Sequence, residues 1–340
     1  MTSSSSSSWP GTHQGVAYAL LAAALFGAST PFAKMLVGQV APVTLAGMLY
    51  LGSGLGLLAC FVMRAVLTLN SNDKPATLTA TDLPWLAGAI AFGGIAGPVL
   101  LMFGLTLTPA SSASLLLNIE GVLTAMLAWF VFKENFDRRI FIGMLLIVAA
   151  GILLSWEQVP KLGVPWGAIA IVGACLCWGI DNNLTRKVSA SDALQIAALK
   201  GLVAGSVNLA IALALGYTLP SVSISLGAGL VGFCGYGLSL VMFVLALRHL
   251  GTARTGAYFS AAPFVGAVIS LFMLGDIPGL LFWLAAALMA AGIWLHLTEK
   301  HVHDHEHEPL YHTHTHSHDA HHQHTHEDGW DGKEPHVHAH

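Results

Sequence analysis

Apolar runs long enough to cross a bilayer alternate with short polar connections from residue 15 to residue 297. A spanning helix takes about 20 mostly apolar residues. By that measure the pattern predicts ten, over residues 15–35, 43–63, 84–105, 110–132, 139–156, 165–184, 192–216, 223–246, 253–274 and 278–297. Stretches such as 140–156 and 280–297 are apolar all round, whereas a helix of a soluble core keeps a polar outer face. The chain therefore reads as an all-α integral membrane protein. After residue 298 the pattern changes abruptly, and fifteen of the last 42 residues are histidine.

Composition agrees with that reading. Hydrophobic residues make up 55% and charged residues 9% of the chain, against about 25% charged in soluble domains. The basic residues sort by side. If the N-terminus lies inside, the inner loops and tail carry Arg64, Lys74, Lys133, Arg138, Arg139, Arg186, Lys187, Arg248, Arg254, Lys300 and Lys333, and the outer loops only Lys34 and Lys161. Cytoplasmic loops retain positive charge, so both termini are expected in the cytoplasm, and an odd number of spans would scramble the sorting. Residues 1–14 are polar and lack a basic stretch and a small-residue cleavage site, so the first span is expected to stay. Cys60, Cys175, Cys177 and Cys234 all fall within spans and imply no disulfide framework.

The two halves resemble each other. Phe26–Gly27 in span one aligns with Trp178–Gly179 in span six, and Lys34 with Arg186. Phe103–Gly104–Leu105 aligns with Leu245–Ala246–Leu247, Pro109–Ala110–Ser111 with Gly251–Thr252–Ala253, and Lys133–Glu134 with Gly275–Asp276. Spans five and ten share Ala149–Ala150–Gly151–Ile152 and Ala290–Ala291–Gly292–Ile293. A unit of five helices, repeated once, must insert upside down relative to its twin. Inverted repeats suit alternating access around a site near the midplane. The organisation read here is a polar segment 1–14, a first unit 15–156, a linker 157–164, a second unit 165–298 and a tail 299–340.

With the aromatic–Gly pairs, the small-residue turn between helices three and four, and an acid closing helix four (Glu134, Asp276), the chain resembles the EamA type of the drug/metabolite transporter superfamily. The resemblance implies a ten-helix secondary carrier of small metabolites with cytoplasmic termini. One departure is that Pro263 stands in helix four of the second unit, while Gly121 holds the matching place in the first.

Charges inside spans cost about 2.5–3.5 kcal/mol on insertion scales and mark functional sites by default. Glu120 in span four and Lys200 in span seven sit near mid-depth. They are expected either to pair or to face one aqueous cavity, with Glu120 as a proton or cation site and Lys200 as its partner or as a substrate anchor; an ion pair that only fixes packing is the alternative. Asn118 is a candidate for polarising the cavity or capping a kink. Asp181, Asn182 and Asn183 supply oxygen ligands and amide donors near the end of span six. Their repeat partner is Ser29–Thr30–Pro31, where the proline frees a carbonyl. Trp178 and Trp156 read as interface anchors or packing, and the glycines of spans two, three, seven and eight as sites of close helix approach. Walker, His-Glu-x-x-His and Gly-x-Ser-x-Gly patterns are absent from residues 15–297, so neither ATP coupling nor catalysis is expected within this chain, and no cofactor is required.

In the tail, His301, His303, His305 and His307 alternate with other residues, as do His312, His314, His316 and His318. His321, His322, His324, His326, His336, His338 and His340 follow, with acids interspersed. The segment has little apolar surface and is expected to be disordered without a ligand. Imidazole suits Zn, Ni, Co and Cu, and repetitive spacing predicts several exchangeable sites. Three roles stay open for the tail: delivering a transported metal, sensing metal or pH for a carrier of something else, or acting as a solubilising extension. The expected partners are the lipid bilayer of a bacterial inner membrane, a small solute and divalent metal ions, with a homodimer allowed and no nucleic acid.

Overall fold

The computed structural model describes residues 10–67, 78–132, 138–157, 164–188, 191–250, 255 and 258–297, with 313–316 and 336–339 in the tail. The membrane part begins with α1 (Pro10–Val37) and α2 (Pro42–Leu67). The third helix, α3, runs through Leu83–Ala89, Ile90–Ala96 and Gly97–Leu107, and its middle stretch is π-helical. The fourth, α4, comprises Ala110–Leu116 and Ile119–Phe132, followed by α5 (Arg138–Glu157). The second half holds α6 (Trp166–Val188), α7 (Ala193–Ala214) and α8, which runs through Val222–Gly232, the π-helical Phe233–Leu238 and Ser239–Leu250. It ends with α9 (Ala262–Leu274) and α10 (Leu280–Leu297). Seven helices among the described residues are long and apolar enough to span a membrane, and three apolar helices, 141–156, 262–274 and 280–295, are shorter.

The packing repeats between halves. α1 lies against α8 and α9, and α6 lies against α3 and α4. Each unit thus places its first helix on the third and fourth helices of the other. α2 crosses α7, and α5 pairs with α10. At the crossing Gly47 approaches Leu209, Leu51 approaches Gly205, and Gly54 approaches Gly201 and Leu202, so close that a Cβ on Gly54 would stand 2.3 Å from the Leu202 nitrogen. One residue number rises as the other falls, so the two helices are antiparallel. Because they hold the same place in their units, the units run in opposite directions.

Three departures from the sequence pattern each have a local cause. The fourth apolar run is not one helix. It breaks at Leu117–Asn118, where the Asn118 Nδ2 donates to the Leu115 carbonyl at 3.1 Å, and side-chain competition of that kind weakens a helix. A matching break falls at Ser260–Ala261, just before Pro263. The third run holds a π-helical segment because Pro98 removes a backbone donor and crowds the carbonyl four residues earlier, that of Gly94. Widening the turn relieves that crowding. Lys34, expected in a loop, lies within α1 and donates to the carbonyls of Leu105 and Thr108, closing the end of α3.

The basic residues Lys74, Lys133, Lys161, Arg254, Lys300 and Lys333, and the acid Glu134, lie outside the described residues. Arg64 is in the last turn of α2 and pairs with Asp192, which also caps α7 through the Leu194 N–H at 3.1 Å. In the tail, where no regular structure is expected, Thr313–His316 and His336–Ala339 form an antiparallel two-stranded ladder. Both segments alternate with period two, which suits a strand. The eleven other candidate ligands, from His301 to His326 and His340, lie outside the described residues.

Candidate functional site

The freed carbonyls of the α3 π segment organise the polar centre of the bundle. The Gly93 carbonyl accepts the Tyr50 hydroxyl at 2.7 Å and the Trp178 indole N–H at 3.0 Å. The Gly94 carbonyl accepts the Asn208 amide at 3.1 Å. A buried carbonyl without a donor is costly, and α2, α6 and α7 each send one side chain to supply one. Gly93 also gives up its side-chain space to an acid: a Cβ there would stand 1.9 Å from the Asp181 Oδ2.

Asp181 is 7% exposed, near the end of α6, and roughly 10 Å of helix separates it from Val188. Its two oxygens accept from the Lys200 Nζ at 2.5 and 2.8 Å. The Thr185 hydroxyl donates to the Asp181 Oδ1 at 2.8 Å and lies 3.3 Å from the same ammonium. One turn of α6 and one residue of α7 thereby form a closed carboxylate–ammonium–hydroxyl triangle. The next residue, Asn182, faces α4 and donates to the Glu120 Oε1 at 2.9 Å and to the Thr124 hydroxyl at 3.3 Å. Asn183 ties the same helices together, donating to the Thr124 carbonyl at 3.2 Å and the Gly179 carbonyl at 2.8 Å.

Five of the six candidate residues thus fall into two neighbouring hydrogen-bonded sets on α6, Asp181 with Lys200, and Asn182 and Asn183 with Glu120 and Thr124 of α4. The wiring differs from the expected Glu120–Lys200 pair. Consecutive helices α6 and α7 bring Asp181 to Lys200, and Glu120 is left to an amide. Asn118 stands apart, buried, with its amide on the Leu115 carbonyl and 3.6 Å from the Met289 sulfur of α10. It serves the break in α4 rather than either set.

Sequence reasoning missed Tyr50, Asn208 and the π-segment carbonyls; of its two readings of Trp178, interface anchor or packing, the buried indole fits packing, with a donor role to the Gly93 carbonyl added. Pro98 inside an apolar run, preceded by Gly93 and Gly94, was the available signal. Trp156 does fit an interface anchor at 73% exposure. Beside these sets the Tyr50 and Tyr236 rings meet at a tilt of 41°, with centroids 5.5 Å apart, and Tyr236 meets Phe26 edge-on at 6.0 Å. These rings give the polar cluster an aromatic wall. Among the described residues no group of three His, Cys, Asp or Glu side chains is arranged to hold a metal ion. The arrangement brings both signs of charge, amide donors and aromatic rings into one region of the bundle.

Several relatives of this chain are named as transporters. One relative, from Methanothermobacter thermautotrophicus, is 25% identical over 81% of this chain and 84% of its own length, and is named "Uncharacterized transporter". The "Uncharacterized transporter YyaM" of Bacillus subtilis is 27% identical over 76% of this chain and 86% of its own. A "Probable terminal-alkyne amino-acid exporter" of Streptantibioticus cattleyicolor is 26% identical over 64% of this chain and 73% of its own. A solved crystal structure superposes with a TM-score of 0.61 over 82% of this chain and 95% of its own, at 17% identity, which speaks to the fold alone. The EamA-like transporter family matches twice, over residues 13–156 and 165–298. That doubled match covers most of the chain and all the helices of both inverted units, and the protein is a multi-pass membrane transporter belonging to the EamA-like transporter family.

Proposed function

We propose that the chain is a secondary carrier of a small organic solute in the cytoplasmic membrane of a bacterium. It crosses the membrane ten times, with both termini in the cytoplasm. The observation that carries this reading is the Asp181–Lys200 pair set next to the Asn182–Glu120 hydrogen bond, which joins the two units, with Tyr50 and Trp178 meeting at the Gly93 carbonyl. Ionisable side chains at membrane depth line solute and ion pathways, and inverted units meet at the transport site in alternating-access carriers. The three shorter apolar helices supply the remaining spans, and the sorting of basic residues supports the orientation.

In this reading Asp181 and Lys200 hold each other until a solute with matching groups replaces one of them, and Glu120 carries the coupling proton or cation. The relative named as an amino-acid exporter supports a solute of that general size. The test is flux into proteoliposomes, screened with labelled amino acids, amines and carboxylates. Saturable, gradient-driven flux that falls to background in Asp181→Asn bears the proposal out. Flux unchanged in that variant, or no flux from correctly folded protein across the panel, overturns it.

The histidine tail, in the same reading, binds divalent ions of the Zn, Ni, Co and Cu class and buffers, senses or delivers them. The alternation of histidines supports a metal-linked role. Comparing metal tolerance and metabolite accumulation between cells carrying the intact chain and one truncated after Lys300 tests it. Equal metal tolerance in both removes the delivery role.

A further inference from the structure

The hairpin of α6 and α7 carries Asp181 on one leg and Lys200 on the other, and the first unit grips its tip. Arg64, at the end of α2, pairs with Asp192, whose side chain is only 4% exposed. Ser191 lies beside Asp82, which precedes α3, and the Lys187 ammonium stands 6.0 Å from the centroid of the Trp85 ring. Between the tip and the ion pair, Leu86 and Ile90 of α3 meet Val188 of α6 and Ile196 of α7 in an apolar cluster separate from the main core. Val188 follows Asp181 on α6 and Ile196 precedes Lys200 on α7, which sets the cluster about 6–10 Å along the helices from the pair, toward the tip. This is the end of the bundle where α1 begins, cytoplasmic in the proposed orientation.

We propose that the tip of the α6–α7 hairpin is the cytoplasmic gate of the carrier, plugged by Leu86, Ile90, Val188 and Ile196 and latched by Arg64 and Asp192. Packed aliphatic side chains leave no room for water, so a solute reaching Asp181 and Lys200 from this end has to part the plug. Swinging the tip away from α2 and α3 separates the two units along that seam and hydrates both latch charges. An ion pair with one partner partly exposed is held only modestly against water, which suits a contact that must break in every cycle. Asp192 also caps α7 through the Leu194 N–H, so the latch and the start of the helix that carries Lys200 move as one piece. The gate rests on the carrier reading for its purpose. Its test reads access rather than flux, so it can fail while that reading stands.

The experiment places a reporter thiol behind the plug, as Leu199→Cys in the full-length chain, since Leu199 packs against the cluster next to Lys200. Labelling by a membrane-impermeant maleimide added on the cytoplasmic side of sealed vesicles is timed, and labelling of the parent chain, which holds Cys60, Cys175, Cys177 and Cys234, is subtracted. Asp192→Asn removes the latch charge but keeps a side chain that caps a helix about as well. Arg64→Gln removes the partner charge. Each should speed labelling about 5-fold or more, the scale on which losing such a pair moves a two-state equilibrium. Combining them should add little to either alone, because both remove the same contact. Asp276→Asn alters a carboxylate at the other end of the bundle, where it accepts the Ser111 N–H at 3.1 Å, and should not speed labelling from this side. Unchanged labelling in both latch variants, fully additive effects in their combination, or an equal rise in Asp276→Asn overturns the gate. If one latch variant fails to insert, the other decides.

Discussion

The two π-helical segments occupy matching places in the two units, yet their surroundings differ in chemistry. Around Ile90–Ala96 stand Asp181, Lys200, Trp178 and Tyr50. Around Phe233–Leu238 the place of Asp181 is taken by Ser29, whose hydroxyl turns back to its own helix at the Phe26 carbonyl, 2.6 Å away. The steric relation is preserved: a Cβ on Gly235 would stand 2.4 Å from the Ser29 Cβ, as one on Gly93 would strike Asp181. Tyr50 in α2 occupies about the place that Lys200 holds in α7, each eight or nine residues into its helix. Duplication preserved the backbone device, a helix widened beside a close-packed neighbour. Charge was placed in only one copy. A carrier that moves by rocking one unit against the other needs two similar scaffolds, but one solute needs only one charged site.

The largest expected effect separates the copies directly. Asp181→Ala leaves the Lys200 ammonium buried without its carboxylate, and breaking a buried pair costs about 3–5 kcal/mol. A fall in detergent melting temperature together with loss of flux is expected, while Ser29→Ala should change neither appreciably. Comparable losses in both would mean that the scaffold contact, not the charge, matters. Asp181→Asn with Lys200→Met removes both charges, so stability should largely recover while flux stays absent, and recovered flux would limit the pair to packing.

Glu120→Gln should keep the hydrogen bond from Asn182 but remove the titratable oxygen. With no group there to take up a proton, flux driven by a pH gradient should fall to background, and solute exchange without a gradient should fall less. Equal loss of both modes would assign Glu120 to solute binding instead of coupling. Gly93→Ala forces the Asp181 carboxylate to move, and should lower flux more than Gly235→Ala, whose added methyl meets the uncharged Ser29 and the Leu25 carbonyl. The smallest effect is expected from Tyr50→Phe, which removes one neutral donor from the Gly93 carbonyl while Trp178 remains. The cost should be about 1 kcal/mol of stability, read as a small downward shift in melting temperature.

The charges of the site were legible in the sequence because an acid or a lysine stands out in an apolar run. Glu120, Asp181 and Lys200 announce themselves in that way. Their partners were not legible, because pairing depends on which faces of α4, α6 and α7 turn toward one another. Lys200 found Asp181 on the preceding helix, and depth alone could not choose between that acid and Glu120. Trp178 was hidden for a different reason: an aromatic in an apolar helix reads the same whether it anchors, packs or donates to a buried carbonyl. The inverted duplication was readable from aligned residues. The matching π segments and helix breaks were not, since Pro98 explains one and Pro263 lies beside another without a common motif.

Proteoliposome counterflow of the solute found by screening, compared between the unmodified chain and Asp181→Asn at matched folding and insertion, tests the central claim most directly. The account predicts robust exchange in the first and background exchange in the second, with Ser29→Ala behaving like the unmodified chain. Exchange that survives Asp181→Asn, or that Ser29→Ala abolishes equally, would contradict it.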